Sequence, residues 1–170
     1  ISNNLIYESM DYFYKNGIKT NYEILLKNIN TIGKDSNQYK SSPQFELANA
    51  YIYNASVPLI KETSRNLNTL EPTISFRLSP NDMKKNTSAS RRIDANNVFN
   101  SNRLSLDDSF ESGESLTLGL NFQKKKINLK NKNTPNEIKE IEDFFDLKLG
   151  TVFRLNEEKN IPTSSTLNKK

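Results

Sequence analysis

The residues of this chain best suited to chemistry are four carboxylates close together in sequence, Asp107, Asp108, Glu111 and Glu114. Paired carboxylates can act as general acid and base, as in glycoside hydrolysis. The chain has no histidine and no cysteine, which excludes Ser–His and Cys–His catalysis, disulfides and the usual transition-metal ligands. Because solvated turn residues have the same composition as this cluster, we predict no enzymatic activity, no cofactor and no metal site.

A structural role is the alternative for the same charges. Arg103 precedes them, and its guanidinium group can form charge-assisted hydrogen bonds with Asp108 and Glu111. Gly113 can supply the positive φ that a short hairpin turn requires. We therefore predict a strand at Arg103–Phe110 and a tight turn in the four residues after it, pinned by the charged network.

The elements that would position these residues are strands. Side chains alternate between apolar and polar along seven segments, which is the pattern of a half-buried strand. The segments reach about the 9–11 residues of a tilted strand that crosses a bilayer, whereas soluble strands average about 5–6 residues. The predicted strands are Asn4–Lys15, Ile18–Ile29, Gln44–Ser56, Asn68–Leu78, Arg103–Phe110, Ser115–Lys124 and Phe144–Leu155.

The links between these segments alternate between short and long. Asn16-Gly17 is a strong hairpin signal, whereas Asn30–Ser42, Ser79–Asn102 and Lys125–Asp143 are long and polar. Outer-membrane β-barrels sort their connections in this way, with short periplasmic turns and long extracellular loops. We therefore predict an all-β antiparallel meander of about seven strands. It would form a curved wall segment of a large outer-membrane β-barrel and occupy residues 1–170.

Composition agrees with this fold. A mean hydropathy of −0.74 is too low for helical membrane spans, but barrel strands place only alternate side chains in lipid. The net charge of +4 is spread along the chain, so we predict no nucleic-acid partner. The charged residues of the strands would line a wet lumen, and they are Lys19, Glu23, Lys27, Glu71, Arg77, Lys148 and Arg154.

Two segments depart from the strand pattern. Pro135–Phe145 has apolar residues at helical spacing and a proline suited to a first helical turn, so we predict a helical turn there. The basic run Lys124-Lys125-Lys126 is expected to be the solvated end of a strand.

One block of the sequence resembles a known family. Residues 102–113 read Asn-Arg-Leu-Ser-Leu-Asp-Asp-Ser-Phe-Glu-Ser-Gly, and Leu118-Gly119-Leu120 follows. The block is similar to the C-terminal barrel region of the LPS-assembly protein LptD family (organic solvent tolerance protein OstA). That family carries Asn-Arg-Phe-Ser-Gly-x-Asp-Arg-x-Glu-x-Gly and then Tyr-Gly-Leu. The matching residues are Asn102, Arg103, Ser105, Asp108, Glu111, Gly113, Gly119 and Leu120.

Departures from the family pattern indicate a divergent member. They are Leu104, Leu106, Ser109 and Leu118, and the role of the family's arginine is not assigned to Ser109.

The resemblance implies a translocon in the outer membrane of a Gram-negative bacterium. It would receive lipopolysaccharide from a periplasmic bridge protein and insert it into the outer leaflet, with the glycan in a polar lumen and the acyl chains leaving toward membrane lipid. The implied partners are lipopolysaccharide, outer-membrane lipid, a plug lipoprotein and the bridge protein. An N-terminal periplasmic domain and the remaining strands would lie outside this chain.

Two other interpretations remain open at this point. The first is a porin-like diffusion barrel, and the second is a soluble β-sandwich that serves as an adhesin or binding module. A second layer of protein over the apolar residues Leu116, Leu118, Leu120 and Phe122 would favour the sandwich.

Overall fold

The computed structural model describes residues 1–35, 40–83, 92–106, 109–130, 138–162 and 164–167. It is all-β and antiparallel, as the alternation predicts. In these described ranges no helix has the length and apolarity needed to cross a membrane. The eight strands are β1 (Ser2–Glu8), β2 (Tyr12–Phe13), β3 (Lys19–Thr31), β4 (Gln44–Ser56), β5 (Leu59–Glu62), β6 (Asn66–Ser79), β7 (Gly113–Lys130) and β8 (Ile138–Arg154).

All eight strands belong to one sheet. Its hydrogen-bonded order is β1-β3-β4-β6-β7-β8, while β2 pairs with β3 and β5 pairs with β6. A break at Ser9–Asp11 separates β1 from β2, and Val57-Pro58 separates β4 from β5, where the proline has no N–H to donate. The sheet is therefore an open meander with β1 and β8 as its described edges, as expected of a wall segment.

The connections are sorted by length onto two rims of the sheet. The short-turn rim carries Asn16-Gly17, where Gly17 has a φ of 83°, and the turn between β5 and β6. The long-loop rim carries residues 32–43 between β3 and β4 and residues 80–112 between β6 and β7. Because successive antiparallel strands reverse direction, the alternation of short and long links in sequence becomes a separation in space.

One face of the sheet is apolar and open. Cross-strand pairing aligns large side chains in rows, because paired residues share a face. One such row runs from β3 to β8 and consists of Tyr22, Tyr53, Phe76, Leu116 and Phe153. Tyr53 is 49% exposed and Phe153 is 51% exposed. The described residues place no second layer of protein on this surface, which we call the apolar face.

The opposite surface, the polar face, is covered. Its corresponding row consists of Glu23, Ile52, Arg77, Ser115 and Arg154. Arg77 is only 4% exposed and Ser115 only 1%. The exposure of the two faces is therefore the reverse of that in a sheet folded for water, in which the polar side is solvated.

The long loop between β6 and β7 covers the polar face. Its Val98 and Phe99 lie on Gly150 and Gly119, which are cross-strand partners in β8 and β7. A Cβ atom on Gly119 would lie 2.4 Å from Phe99 Cζ, so only glycine leaves room for the ring. The segment after β8 completes a small core, which comprises Met83, Ile93, Val98, Leu104, Leu106, Ile161 and Leu167.

The predicted strand Arg103–Phe110 and the tight turn after it are wrong in the described residues, while Asp107 and Asp108 lie outside them. Ser105 has a φ of 47° and its N–H donates to the Asn102 carbonyl over 2.9 Å, which is turn geometry and not strand geometry. Leu106 and Phe110 are each 2% exposed. The alternation in this segment therefore arises because a loop packs its apolar side chains against the sheet.

The predicted helical turn at Pro135–Phe145 is wrong in its described part, while residues 135–137 lie outside the described ranges. Residues 138–145 belong to β8 and pair with β7, and the register shifts between Lys124 and Lys125. Phe144 is the extra residue of this β-bulge. Its ring lies near Lys124, and the ring of Phe145 lies 6.0 Å from that of Phe122. Both phenylalanines thus lie on one face, and the bulge produces a spacing that imitates a helix.

The same pairing changes two further expectations. The run Lys124-Lys125-Lys126 does not end a strand, because β7 continues to Lys130. Most of the predicted long link Lys125–Asp143 belongs to β7 and β8, and its residues 131–137 lie outside the described ranges.

We predict that Gly119→Ala will destabilise the protein by about 1–3 kcal/mol, because the new methyl group overlaps the Phe99 ring. The measurement is unfolding in guanidinium. In a Phe99→Ala background the same substitution should cost less than about 0.5 kcal/mol, since the overlapping atoms are gone. Equal costs in the two backgrounds would contradict the packing of Phe99 on Gly119.

Candidate functional site

The most strongly charged buried region lies on the polar face toward the long-loop rim. Arg77 in β6, Ser115 in β7 and Arg154 in β8 are successive cross-strand partners. Their side chains therefore point to the same side, with the two arginines flanking the serine. The covering loop contributes Arg103 and Glu111 to this region, and both are 3% exposed.

Glu111 is the acceptor at the centre of this network. Arg103 Nε donates to its Oε2 over 2.8 Å, and Arg103 Nη2 donates to its Oε1 over 2.5 Å. This is the bidentate geometry that makes arginine–carboxylate pairs strong. Arg154 Nη1 donates to the same Oε1 over 3.0 Å. The pairing of Arg103 with Glu111 that the sequence predicts is present, and Arg154 joins it.

Arg103 also anchors the loop to β7. Its Nη2 donates to Ser115 Oγ over 2.9 Å, and its Nη1 donates to Thr117 Oγ1 over 3.1 Å. One guanidinium group thus bridges the loop carboxylate and two hydroxyls of the strand beneath it. Every contact involves a buried polar atom, so each lost partner would leave a desolvated group unsatisfied.

Gly113 allows the chain to enter β7 beside Arg154. Its φ of 88° favours glycine, and a Cβ atom there would lie 3.0 Å from Arg154 Nη2. The same Nη2 donates to the Ser112 carbonyl over 2.8 Å. The predicted positive φ of Gly113 is confirmed, but it serves the end of a long loop and not a hairpin turn.

Arg77 contacts two separate parts of the covering loop. Its Nη1 donates to the Ser101 carbonyl, and its guanidinium carbon lies 5.0 Å from the centre of the Phe110 ring, within cation–π range. Phe110 itself packs with Leu25 and two alanines of β4. The loop therefore supplies Arg77 with both an acceptor and an aromatic face.

Charge balance determines the ionisation of Glu111. Burial by itself would raise the pKa of its carboxyl group, but the hydrogen bonds from Arg103 and the charges of Arg77, Arg103 and Arg154 outweigh burial. The pKa of Glu111 is therefore lower than its ordinary value of 4.5. Three guanidinium groups surround one carboxylate, and the charge of Glu23 adds a further attraction for Arg77.

A cavity of about 330 Å³ lies between the loop and the half of the polar face toward the short-turn rim. Lys19 Nζ lies 3.4 Å from Glu71 Oε1 at this cavity. Lys148 Nζ donates to Asn96 Oδ1 over 3.2 Å at the other side. The lining of the cavity thus combines charged groups of both signs and amides with the apolar residues Phe99, Leu120 and Leu149.

The eight residues of the sequence motif do not form one cluster. Arg103, Glu111 and Gly113 belong to the buried network, while Gly119 lies under the Phe99 ring. Leu120 is on the apolar face, between Pro72 and Leu149 in the ladder.

The remaining motif residues are in the loop. The Asn102 carbonyl accepts hydrogen bonds from the N–H and the hydroxyl of Ser105, over 2.9 and 3.2 Å. Asp108 lies outside the described residues, and so does its expected contact with Arg103. Within the described ranges, no group of three or more histidine, cysteine, aspartate or glutamate residues could hold a metal ion.

Sequence reasoning missed the contribution of Arg77 and Arg154 to the network. It placed both on the polar face, but as lumen-lining residues. Their alignment with Ser115 would have been the signal, and it becomes visible only when the strand register is known. The covering roles of Val98 and Phe99 had no sequence signal apart from the glycines beneath them.

We predict that Glu111→Gln will destabilise the protein by about 3–5 kcal/mol, because it leaves the buried guanidinium groups of Arg103 and Arg154 without their carboxylate. Guanidinium unfolding in lipid vesicles measures the change. Glu114→Gln, three residues away at the start of β7, is the matched control and should change stability by less than about 0.5 kcal/mol. Similar effects of the two substitutions would contradict the network.

The effect of Glu111→Gln on stability is expected to depend on pH. Because the pKa of Glu111 is lower in the folded state than its ordinary 4.5, its ionised form stabilises the fold. That contribution is complete above the ordinary pKa and is lost as the pH falls through the lower, folded-state pKa. The stability difference between wild type and Glu111→Gln should therefore shrink on acidification below about pH 4.5, whereas the difference for Glu114→Gln should not. A constant Glu111→Gln difference would refute this assignment.

Comparison with known proteins identifies the family of the chain. The family model for LptD, LPS transport system D, matches residues 12–170. No curated protein and no solved structure matches the chain. The matched region includes β2 to β8, the covering loop and the Glu111 network. The chain belongs to the LptD family and has a role in lipopolysaccharide transport at the outer membrane.

Proposed function

We propose that this chain forms part of the wall of a transmembrane β-barrel that inserts lipopolysaccharide into the outer leaflet of the outer membrane. One observation carries the proposal: the apolar face is open while the polar face is buried under the chain's own loop. On the same strand β7, Leu118 is 39% exposed and Thr117 is 2% exposed. Hydrocarbon is the environment in which this arrangement is favourable, because exposed apolar rows would be unfavourable in water.

Strand length supports a membrane location. β3 and β4 have 13 residues each and β6 has 14, which exceeds the roughly 9–11 residues that a tilted strand needs to cross a bilayer. A sheet in lipid must also be closed, since unpaired edges cannot be hydrated there. We therefore infer that further strands of a longer protein pair with β1 and β8, and that an N-terminal periplasmic domain accompanies them.

The polar face would form the inner side of the barrel. The cavity beside Lys19 and Lys148 has the mixed polar character that suits the glycan and phosphate groups of lipopolysaccharide. The acyl chains have no comparable apolar path along this face, and they would leave laterally toward membrane lipid. The short-turn rim would face the periplasm and the bridge protein, while a plug lipoprotein would contact the inner side. The chain itself would supply no catalytic group.

Spin labelling tests the membrane orientation. We predict that a nitroxide at Leu118→Cys in the reconstituted full-length protein will be accessible to oxygen and protected from a water-soluble nickel chelate. A label at Lys148→Cys should show the opposite ratio, because Lys148 lies on the polar face. If the Leu118→Cys label were instead shielded from both oxygen and the chelate in a protein that stays soluble without detergent, a second protein layer would cover it and the sandwich would be the better interpretation.

Photo-crosslinking tests the cargo. We expect a photoreactive amino acid at Asn96, beside the cavity, to capture lipopolysaccharide during transport in intact cells. The same group at Asn16, in the tight turn of the short-turn rim, is the matched control and should capture little. Passive solute flux through liposomes containing the protein, without capture at Asn96, would instead support a porin-like barrel.

A further inference from the structure

The apolar face ends in basic side chains at the short-turn rim. Ladder pairing places Lys61 of β5, Asn68 of β6 and Lys124 of β7 in one cross-strand row. Lys126 lies two residues further along β7 on the same face. The preceding row on this face is wholly apolar and consists of Leu59, Leu70, Phe122 and Leu147. The row with the two lysines ends in Phe145 of β8, so positive charge enters the apolar surface within one row.

The side chains of the run Lys124-Lys125-Lys126 point to different faces of the sheet and have different partners. Lys125 points to the polar face, where its Nζ lies 3.2 Å from Asp143 Oδ1. Lys124 and Lys126, on the apolar face, form no ion pair with a carboxylate in the described part of the chain, although Glu142 is the ladder partner of Lys126. The chain therefore neutralises the lysine directed inward and leaves the charge of the outward pair available.

One aromatic ring contacts both Lys124 and Lys126. Lys124 Nζ lies 5.3 Å and Lys126 Nζ 4.1 Å from the centre of the Phe144 ring. Phe144 is the extra residue of the bulge in β8, so the bulge brings the ring between the two ammonium groups. Cation–π contacts of this kind orient a charge without neutralising it.

A third lysine is close to this pair. Lys61 is exposed and separated from Lys124 by one intervening strand, or about 10 Å at the usual strand spacing. The turn that carries Arg65 also lies against β7, because Ile127 N donates to the Arg65 carbonyl over 2.8 Å. At the other end of the same face, Glu114 near the start of β7 is opposite Leu78. The short-turn rim of this face therefore carries the three lysines together with Glu140 and Glu142 of β8.

We propose that Lys61, Lys124 and Lys126 bind the headgroup phosphate of an anionic phospholipid in the leaflet at the short-turn rim. The proposal rests on the membrane orientation given under Proposed function. The acyl chains would lie along the apolar row of Leu70 and Phe122, and the lysine side chains would extend to the phosphate at the interface. Apolar contact and positive charge side by side favour a lipid over free phosphate, which would use the charge alone.

The test measures lipid selectivity of the full-length protein in bilayers of phosphatidylcholine. Spin-labelled phosphatidylglycerol and spin-labelled phosphatidylcholine are added separately, and electron paramagnetic resonance gives the protein-immobilised fraction of each. In the variant Lys61→Gln/Lys124→Gln/Lys126→Gln, we expect the selectivity for phosphatidylglycerol to fall several-fold. Loss of the attraction of one lysine would by itself lower the selectivity about fivefold. The matched control removes the same charge at exposed sites of the long-loop rim, in Lys34→Gln/Lys40→Gln/Lys159→Gln, and should retain the selectivity.

The outcomes separate this inference from the proposed function. The lysine site would be overturned if wild type and the first variant had equal selectivity, or if the control lost as much selectivity as the first variant. Immobilised lipid would in both cases still show a membrane-spanning protein. Loss of selectivity with inorganic phosphate, but not with chloride at equal ionic strength, would assign the site to free phosphate and overturn the lipid. Absence of immobilised lipid of either kind would overturn the membrane orientation and this inference together.

Discussion

The hydrogen bonds of Glu111 join parts of the chain that are far apart in sequence. Its carboxylate accepts from Arg103, eight residues away in the loop, and from Arg154, 43 residues away in β8. Without the loop, Arg77 and Arg154 would be positive charges on a buried strand face with no carboxylate between them. Without the strands, the loop would carry an unpaired carboxylate and a row of apolar residues into water. Loop and sheet therefore stabilise each other, since burying either charge alone is strongly unfavourable.

This mutual dependence explains why the sheet is covered on its polar side. The charged row could be desolvated only if the covering segment supplied matching charge, and Glu111 does so. Once the loop is anchored there, Val98 and Phe99 fill the space above Gly150 and Gly119. The small core at the long-loop rim continues this packing into the segment after β8. Hydrophobic burial thus occurs between loop and polar face, while the large apolar rows stay outside.

The outside surface then has two zones with different chemistry. Rows such as Tyr22, Tyr53, Phe76, Leu116 and Phe153 present apolar area to the surroundings. At the short-turn rim this band ends in lysines that an aromatic ring orients. A bilayer has the same order of environments, hydrocarbon followed by charged headgroups. Membership of the LptD family and these two zones both support the proposed membrane location of the chain.

Local patterns predicted part of this structure correctly. Ser115–Lys124 is a strand whose leucine face is the open one, and Asn16-Gly17 is a turn on the rim of short connections. The same reasoning failed for Arg103–Phe110, because alternate apolar residues also suit a loop that packs on a sheet. It failed again near Phe144, because one inserted residue changes the strand period of two into an apparent helical spacing.

What the sequence by itself determined is the strand type, the identity of the two faces and the position of the Asn16-Gly17 turn. These follow from side-chain period and turn residues, which act over a few neighbouring positions. Only the tertiary structure decided that Arg103 and Arg154 meet at Glu111, and that the loop lies on the polar face. Those contacts depend on strand register and on residues distant in the chain, and no local pattern encodes the free energy of burying such charges together.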